Sequence, residues 1–176
     1  KSMKYTYFRL VLAVLLFLGG WQIVSAETNE LMVRCVAFYN LENVFDTIHD
    51  EGKNDYEYLP DGGMKWTSLK YTNKIQNMAY AIAQLGTDED PRGAAIVGVS
   101  EVENIGCLHD LCKELKEKHN RNYVPILLEG PDRRGIDVGL LYNPDMFKPV
   151  GKPKGYELKA HYADGGVVRS RLQLWV

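Results

Sequence analysis

Cysteine is scarce in this chain: Cys35, Cys107 and Cys112 are the only three in 176 residues. That number excludes the dense disulfide framework that staples small exported domains. The three also lack the paired spacing of a structural zinc site. Cys35 lies in an apolar, strand-like run. Cys107 and Cys112 stand in a helical stretch at a spacing expected to point them to different sides of it. All three read as small buried or half-buried apolar residues. A basic excess is missing as well, since 21 Lys and Arg stand against 23 Asp and Glu for a formal net charge of −2. Such a balance gives no general attraction to nucleic acid and leaves only a local patch, Asp132-Arg133-Arg134-Gly135, as a candidate for it. Internal repeats and low-complexity blocks are absent after the first stretch, which excludes a repeat array.

What is present is a soluble globular balance, 45% hydrophobic and 25% charged, long enough for one domain with a real core. The first residues break that balance. Lys4 and Arg9 precede the apolar run LVLAVLLFLGGWQIV, and Val24-Ser25-Ala26 supplies the small-x-small pattern of a signal-peptidase site. Residues 1–26 are therefore expected to be a signal peptide and residues 27–176 the mature chain, exported to the periplasm or secreted. A retained membrane anchor is the competing reading, but the run falls short of the roughly 20 residues of a full span. With the signal cleaved, no membrane span is expected, and the mature chain is more acidic still.

Hydrophobic periodicity organises the rest. LMVRCVAFY (31–39) reads as a strand, and an Asp-, Gly- and Asn-rich loop follows from about Asp46 to Gly63. Tyr71, Ile75, Met78, Ile82 and Leu85 recur at helical spacing, with Thr67 or Ser68 as the start and Gly86 as the stop. AAIVGV (94–99) is a short apolar run suited to a buried strand. A second helix is expected with Ile105, Leu108, Leu111 and Leu115 inward. Beyond it come strand-like runs at 123–129, 136–142, 147–151, 156–162 and 167–176. Alternating strands and helices followed by a run of strands predict a layered α/β or α+β sandwich.

Two strands end in polar oxygen donors. The first delivers Asn40 and Glu42, the other Glu101 and Glu103. Ligand sites in such sheets gather where strands end. An amide oxygen with one or two carboxylates is a donor set for Mg²⁺, or Mn²⁺, with water completing the shell. The residues alone leave open a plainer account, in which the acids merely begin loops and Asn104 caps the next helix. Alternation would also place Glu101 and Glu103 on one face, so both need not be ligands.

FYNLENVFD (38–46), YLPDGGMKWTSLKYTNKIQNMAYAI (58–82), IVGVSEVEN (96–104) and DRRGIDVGLLYNP (132–144) resemble, in order, the amino-terminal half of the endonuclease/exonuclease/phosphatase family, with the nearest likeness to secreted members of the Bacteroides type. The resemblance implies a four-layer α/β sandwich, incomplete here, with an Mg²⁺ (or Mn²⁺) site at one sheet edge. It also implies hydrolysis of a phosphodiester or phosphomonoester by a metal-assisted water. By position, Asn40 is implied to contact the phosphate or metal, Glu101 to be the principal metal ligand, Glu42 an acidic position near the metal, and Glu103 a supporting residue. Arg134 is implied to meet the phosphate and Asp137 to orient it, although a plain turn-forming ion pair serves that pair as well. The substrate would be a phosphate ester of a nucleic acid, a phospholipid head group or a sugar, and the protein a monomer.

The same family draws a histidine, an Asp-x-Asn segment and a final Asp-His pair from its second half, and none of these motifs occurs in this sequence. His49, His109, His119 and His161 lie outside them and read as surface residues. The expectation is a phosphoesterase cut before its acid and base residues, weakly active or inactive as it stands. A secreted binding module of the same fold, without catalysis, is the alternative. A glycosidase using Glu101 and Glu103 is a weaker third, because its carboxyls normally come from different strands.

Overall fold

The computed structural model describes residues 32–176, and all of the architecture below lies in one compact unit, Val33–Val176. The expected signal peptide lies outside the described residues. The chain runs through β1 (Val36–Val44), a short 3₁₀ turn (Tyr56–Tyr58), α1 (Ser68–Gln84), β2 (Ile96–Val102), α2 (Ile105–His119), β3 (Val124–Leu127), β4 (Asp137–Tyr142), β5 (Lys154–Tyr156) and β6 (Gln173–Trp175). β1, β2, β4 and β3 form one sheet in that order, and β5 pairs with β6 in a separate ribbon. β1 and β2 are parallel, joined through α1, whereas β4 runs antiparallel to both β2 and β3.

The helices form where the periodicity puts them. α1 starts at Thr67, whose side chain accepts from the Lys70 backbone N, and stops before Gly86 at φ 73°. At Gly86 a methyl would lie 2.6 Å from Cys35 Sγ, so glycine is required for space as well as for conformation. α2 starts at Asn104, whose Oδ1 accepts from Cys107 N at 3.1 Å, and ends at Asn120 in the left-handed region. Both helices pack on one face of the sheet. Ile75, Ala79 and Ile82 of α1 and Leu108, Leu111 and Leu115 of α2 close over Leu41, Val97, Val99 and Leu141. Cys107 and Cys112 are both buried and Cys35 is half-buried, as expected of small apolar residues. α2 is wedged between sheet and α1, and its apolar arc is wide enough to take in both.

The later strands are much shorter than the apolar runs suggested. Residues 147–151 form no strand, 156–162 contribute only the end of β5 and a bridge from His161 to Val167, and 167–176 contribute only β6 and that bridge. These runs have strand-like composition, but among the described residues β5 and β6 pair only with each other, and composition without a sheet partner does not set a ladder. The mixed α/β sheet of four strands is therefore observed. Among the described residues, no helix is long and apolar enough to cross a membrane.

Candidate metal centre

β1 and β2 both break their ladder at the edge where the acids stand. Their pairing runs in register from Val36↔Ile96 to Asn40↔Ser100 and resumes only at Val44↔Val102. On the other side of β2, Ser100 faces Val138 and Val102 faces the adjoining Asp137, so Glu101 is the extra residue of a bulge. Glu101 (φ 63°), Glu42 (φ 55°) and Asn43 (φ 61°) all occupy the left-handed region, which costs an L-residue energy and persists only where the surroundings enforce it. The bulge changes parity. Val97 and Val99 point into the core, strict alternation would send Glu101 after them, and instead Val102 takes the buried place while the Glu101 side chain remains 20% exposed.

Glu103 has a different fate. It is 3% exposed, and its Oε2 accepts from Asp46 N at 2.7 Å and, more weakly, from Asn104 Nδ2. Burial pushes its carboxyl up to about 8, reinforced by the charges of Asp46, Asp50 and Asp55, so the group is held protonated at neutral pH. Glu101 and Glu103 therefore separate into a half-exposed carboxylate and a buried structural acid.

The loop after β1 lies over this edge. Phe45 stacks on Tyr58 with ring centroids 4.1 Å apart, and Trp66 Nε1 donates to Phe45 O at 2.8 Å. Asp55, 1% exposed, accepts from the His49 ring and from Asp50 N, while His49 stacks on Tyr56. Asn54 N donates to Arg133 O and Lys53 Nζ to Gly130 O, tying this loop to the one between β3 and β4. The local field is negative. Burial raises the Asp50 carboxyl, and Asp46, Asp55 and Glu129 push it further.

The other expected site residues fall as follows. Asn40 lies on β1 beside Ser100, and its Oδ1 accepts from Glu42 N at 2.9 Å, which leaves one lone pair. The Glu42 side chain is 77% exposed and stands 3.9 Å from Lys74 Nζ, on the α1 side. Arg134 is half exposed and pairs with Asp132 at 3.7 Å. It is not Asp137 that orients Arg134 directly. Asp137 is buried, its carboxyl is raised chiefly by that burial, and its Oδ1 accepts from Gly130 N at 2.9 Å, so it pins the base of the loop that carries Arg134.

Three features escaped the sequence reading. Arg171 Nη2 lies 3.5 Å from Glu101 Oε1. His49, exposed as expected, pairs with the buried Asp55. Asn43 Oδ1 is buried without a hydrogen-bond partner, an oxygen with unspent capacity next to Glu42. Nothing in a strand-like run such as VVRSRLQLWV marks which of two arginines will find a carboxylate.

Oxygen donors at a strained edge, in a negative field, fit a hard divalent cation. A second grouping, Asp46, Glu103 and Cys107, also brings potential ligand atoms within 4.8 Å of one another. It fits Mg²⁺ poorly. Asp46 Oδ1 and Oδ2 already accept from Ile48 N and Asn104 Nδ2, Glu103 Oε2 accepts from Asp46 N, and a thiol is a soft ligand that Mg²⁺ does not favour.

The parallel strands of a mixed α/β sheet end side by side in polar residues, Asn40 beside Ser100 with Glu101 next along the chain, and that defines the class: an α/β protein with oxygen-bearing strand ends at one sheet edge. Residues 35–176 match the endonuclease/exonuclease/phosphatase family, and the chain belongs to it. Metal-dependent phosphoester or nucleic-acid hydrolysis is the kind of function that membership suggests, commonly with divalent metals. No curated protein and no solved structure matches the chain.

Proposed function

We propose that this chain carries the cation- and phosphate-holding part of an Mg²⁺- or Mn²⁺-dependent phosphoesterase. The observation that carries the reading is Glu101, lifted out of strand alternation by a bulge at φ 63° so that its carboxylate stands at the loop edge. Glu101 is the principal ligand, and the free lone pair of Asn40 Oδ1 is a second donor. Glu42 is an outer acid that adds charge, since it leans toward Lys74. When bound, the cation would polarise a phosphoryl oxygen and favour attack by water.

The chain's own residues do the holding. Arg134, half exposed at the tip of its loop, offers charge-assisted hydrogen bonds to a phosphate oxygen. Asp137 fixes that loop through Gly130, and Glu103 braces the chain between β1 and α2 through Asp46. The wider setting of the proposal is an exported protein of the Bacteroides type, periplasmic or secreted. Its four-layer sandwich would be completed by residues that supply the acid and base, and it would act as a monomer on a phosphate ester of a nucleic acid, a phospholipid head group or a sugar.

The test is Mn²⁺ binding by the 176-residue chain, followed by electron paramagnetic resonance. Glu101→Gln is expected to lose the bound ion and Glu103→Gln to keep it. Equal binding by Glu101→Gln would overturn the assignment. Turnover of a chromogenic phosphodiester with Mg²⁺ is expected to be feeble, and robust turnover dependent on Glu101 would show that the acid and base lie within this chain.

A further inference from the structure

Arg171 contacts the Glu101 carboxylate, although neither the strand pattern nor the family motifs singled it out. Its Nη2 lies 3.5 Å from Glu101 Oε1, with the two side chains 28% and 20% exposed. The contact is not that of a loose surface arginine, because the next residue is anchored. Leu172 packs against Gly130 and Gly155 so closely that a methyl at either glycine would lie 3.1 Å from Leu172 Cγ or 2.6 Å from its Cδ1. Gly130 is itself held by Asp137. A chain of packing and hydrogen bonds therefore runs from Asp137 through Gly130 and Leu172 and sets Arg171 over Glu101.

Resting on the cation reading above, we propose that Arg171 is a positioning residue that stands in for the cation, holding the Glu101 carboxylate while the ion is away and competing with it for that carboxylate. A guanidinium 3.5 Å away, fixed through the packing of Leu172, holds the Glu101 carboxylate in place. An ion pair this exposed to water is weak, so a divalent cation displaces or shares it readily. Arg171 thereby sets how tightly the site holds its ion: it weakens the grip without abolishing it.

The experiment compares Mn²⁺ affinity, by titration calorimetry on the full chain with the metal alone, across four variants. Arg171→Gln is expected to bind about fivefold tighter than the parent, a modest change of the size that loss of one partly exposed competing charge produces. Arg171→Lys, which keeps the charge, is expected to stay near the parent value. Arg169→Gln removes the same charge two positions upstream from an exposed residue and is expected to change affinity less than Arg171→Gln. Unchanged or weaker binding by Arg171→Gln, or an equal gain in Arg169→Gln, would overturn the competition. Glu101→Gln separates the two ideas. If the parent binds Mn²⁺ through Glu101 and Arg171→Gln brings no gain, the competition fails and the cation site stands. If no variant binds through Glu101, the cation site itself fails and takes the competition with it.

Discussion

Glu101 shows how one residue can be costly to the fold and still be kept. A left-handed backbone costs an L-residue about 1–2 kcal/mol, and only glycine escapes it. At φ 63° a glycine would suit the position better than glutamate does. Glu101→Gly and Glu101→Ala remove the same carboxylate and the same contact with Arg171, but only alanine keeps the backbone penalty. Urea unfolding is expected to place the glycine variant about 1 kcal/mol above the alanine variant, with Mn²⁺ binding lost in both. Equal stabilities would mean that the bulge relaxes once the carboxylate is gone, and that the left-handed geometry follows from the side chain instead of from the strand. The same comparison explains what could be read of Glu101 beforehand. Its identity as an acid at a strand end and its different role from Glu103 were legible, and the bulge that turns it off the core face was not, because no sequence pattern announces where alternation by two breaks.

At the scale of elements, the helices were legible and the last strands were not. Thr67, Asn104 and Gly86 are local signals that act on their own neighbours, so α1 and α2 begin and end where those residues say. The stretches 147–151 and 167–176 carry strand-like composition, but a strand exists only with a partner, and pairing is a property of residues far apart in sequence. The approach to β1 and the loop before β2 show a further link that spacing hides. Asp90 accepts from Arg92 Nη2 at 2.8 Å and pairs with Arg34 at 3.3 Å, joining the lead into one strand to the lead into the other. Arg92, by side-chain and backbone hydrogen bonds, holds the Asp90 carboxyl down to about 2 from its ordinary 3.8. A carboxyl lowered in the folded state binds its proton more readily when unfolded. Its stabilisation is therefore complete above pH about 4 and disappears as pH falls toward 2. Asp90→Asn is expected to melt below the parent at pH 6, and the two melting curves are expected to converge between pH 4 and 2. A gap that persists unchanged to pH 3 would assign the loss to packing instead of to charge.

For the whole molecule, the two faces of the main sheet are treated unequally. One carries α1 and α2. On the other, Val36 is 67% and Phe38 is 69% exposed, with Ile96, Leu140 and Tyr142 half covered beside a shallow apolar cavity of about 260 Å³ that Phe147 and Val176 also line. Phe38 lies across Gly98, where a methyl would come within 2.9 Å of its ring. An apolar surface of this kind on a sheet is a site of association. In the sandwich proposed above a second sheet would cover this face, and left uncovered it is expected to draw copies of the chain together. Burying one large side chain such as phenylalanine is worth about 1.5–3 kcal/mol, so replacing Val36 and Phe38 with threonine, a residue that itself favours strands, removes much of the drive. Sedimentation velocity across a range of protein concentrations is expected to show the parent chain associating and the Val36→Thr/Phe38→Thr variant shifted toward monomer by at least tenfold in concentration. Mn²⁺ affinity is expected to be unchanged, because neither residue contributes an oxygen to the edge that holds Glu101. A parent chain that stays monomeric throughout would show that this face tolerates water by itself, and the case for a second sheet packed against it would lose its physical basis.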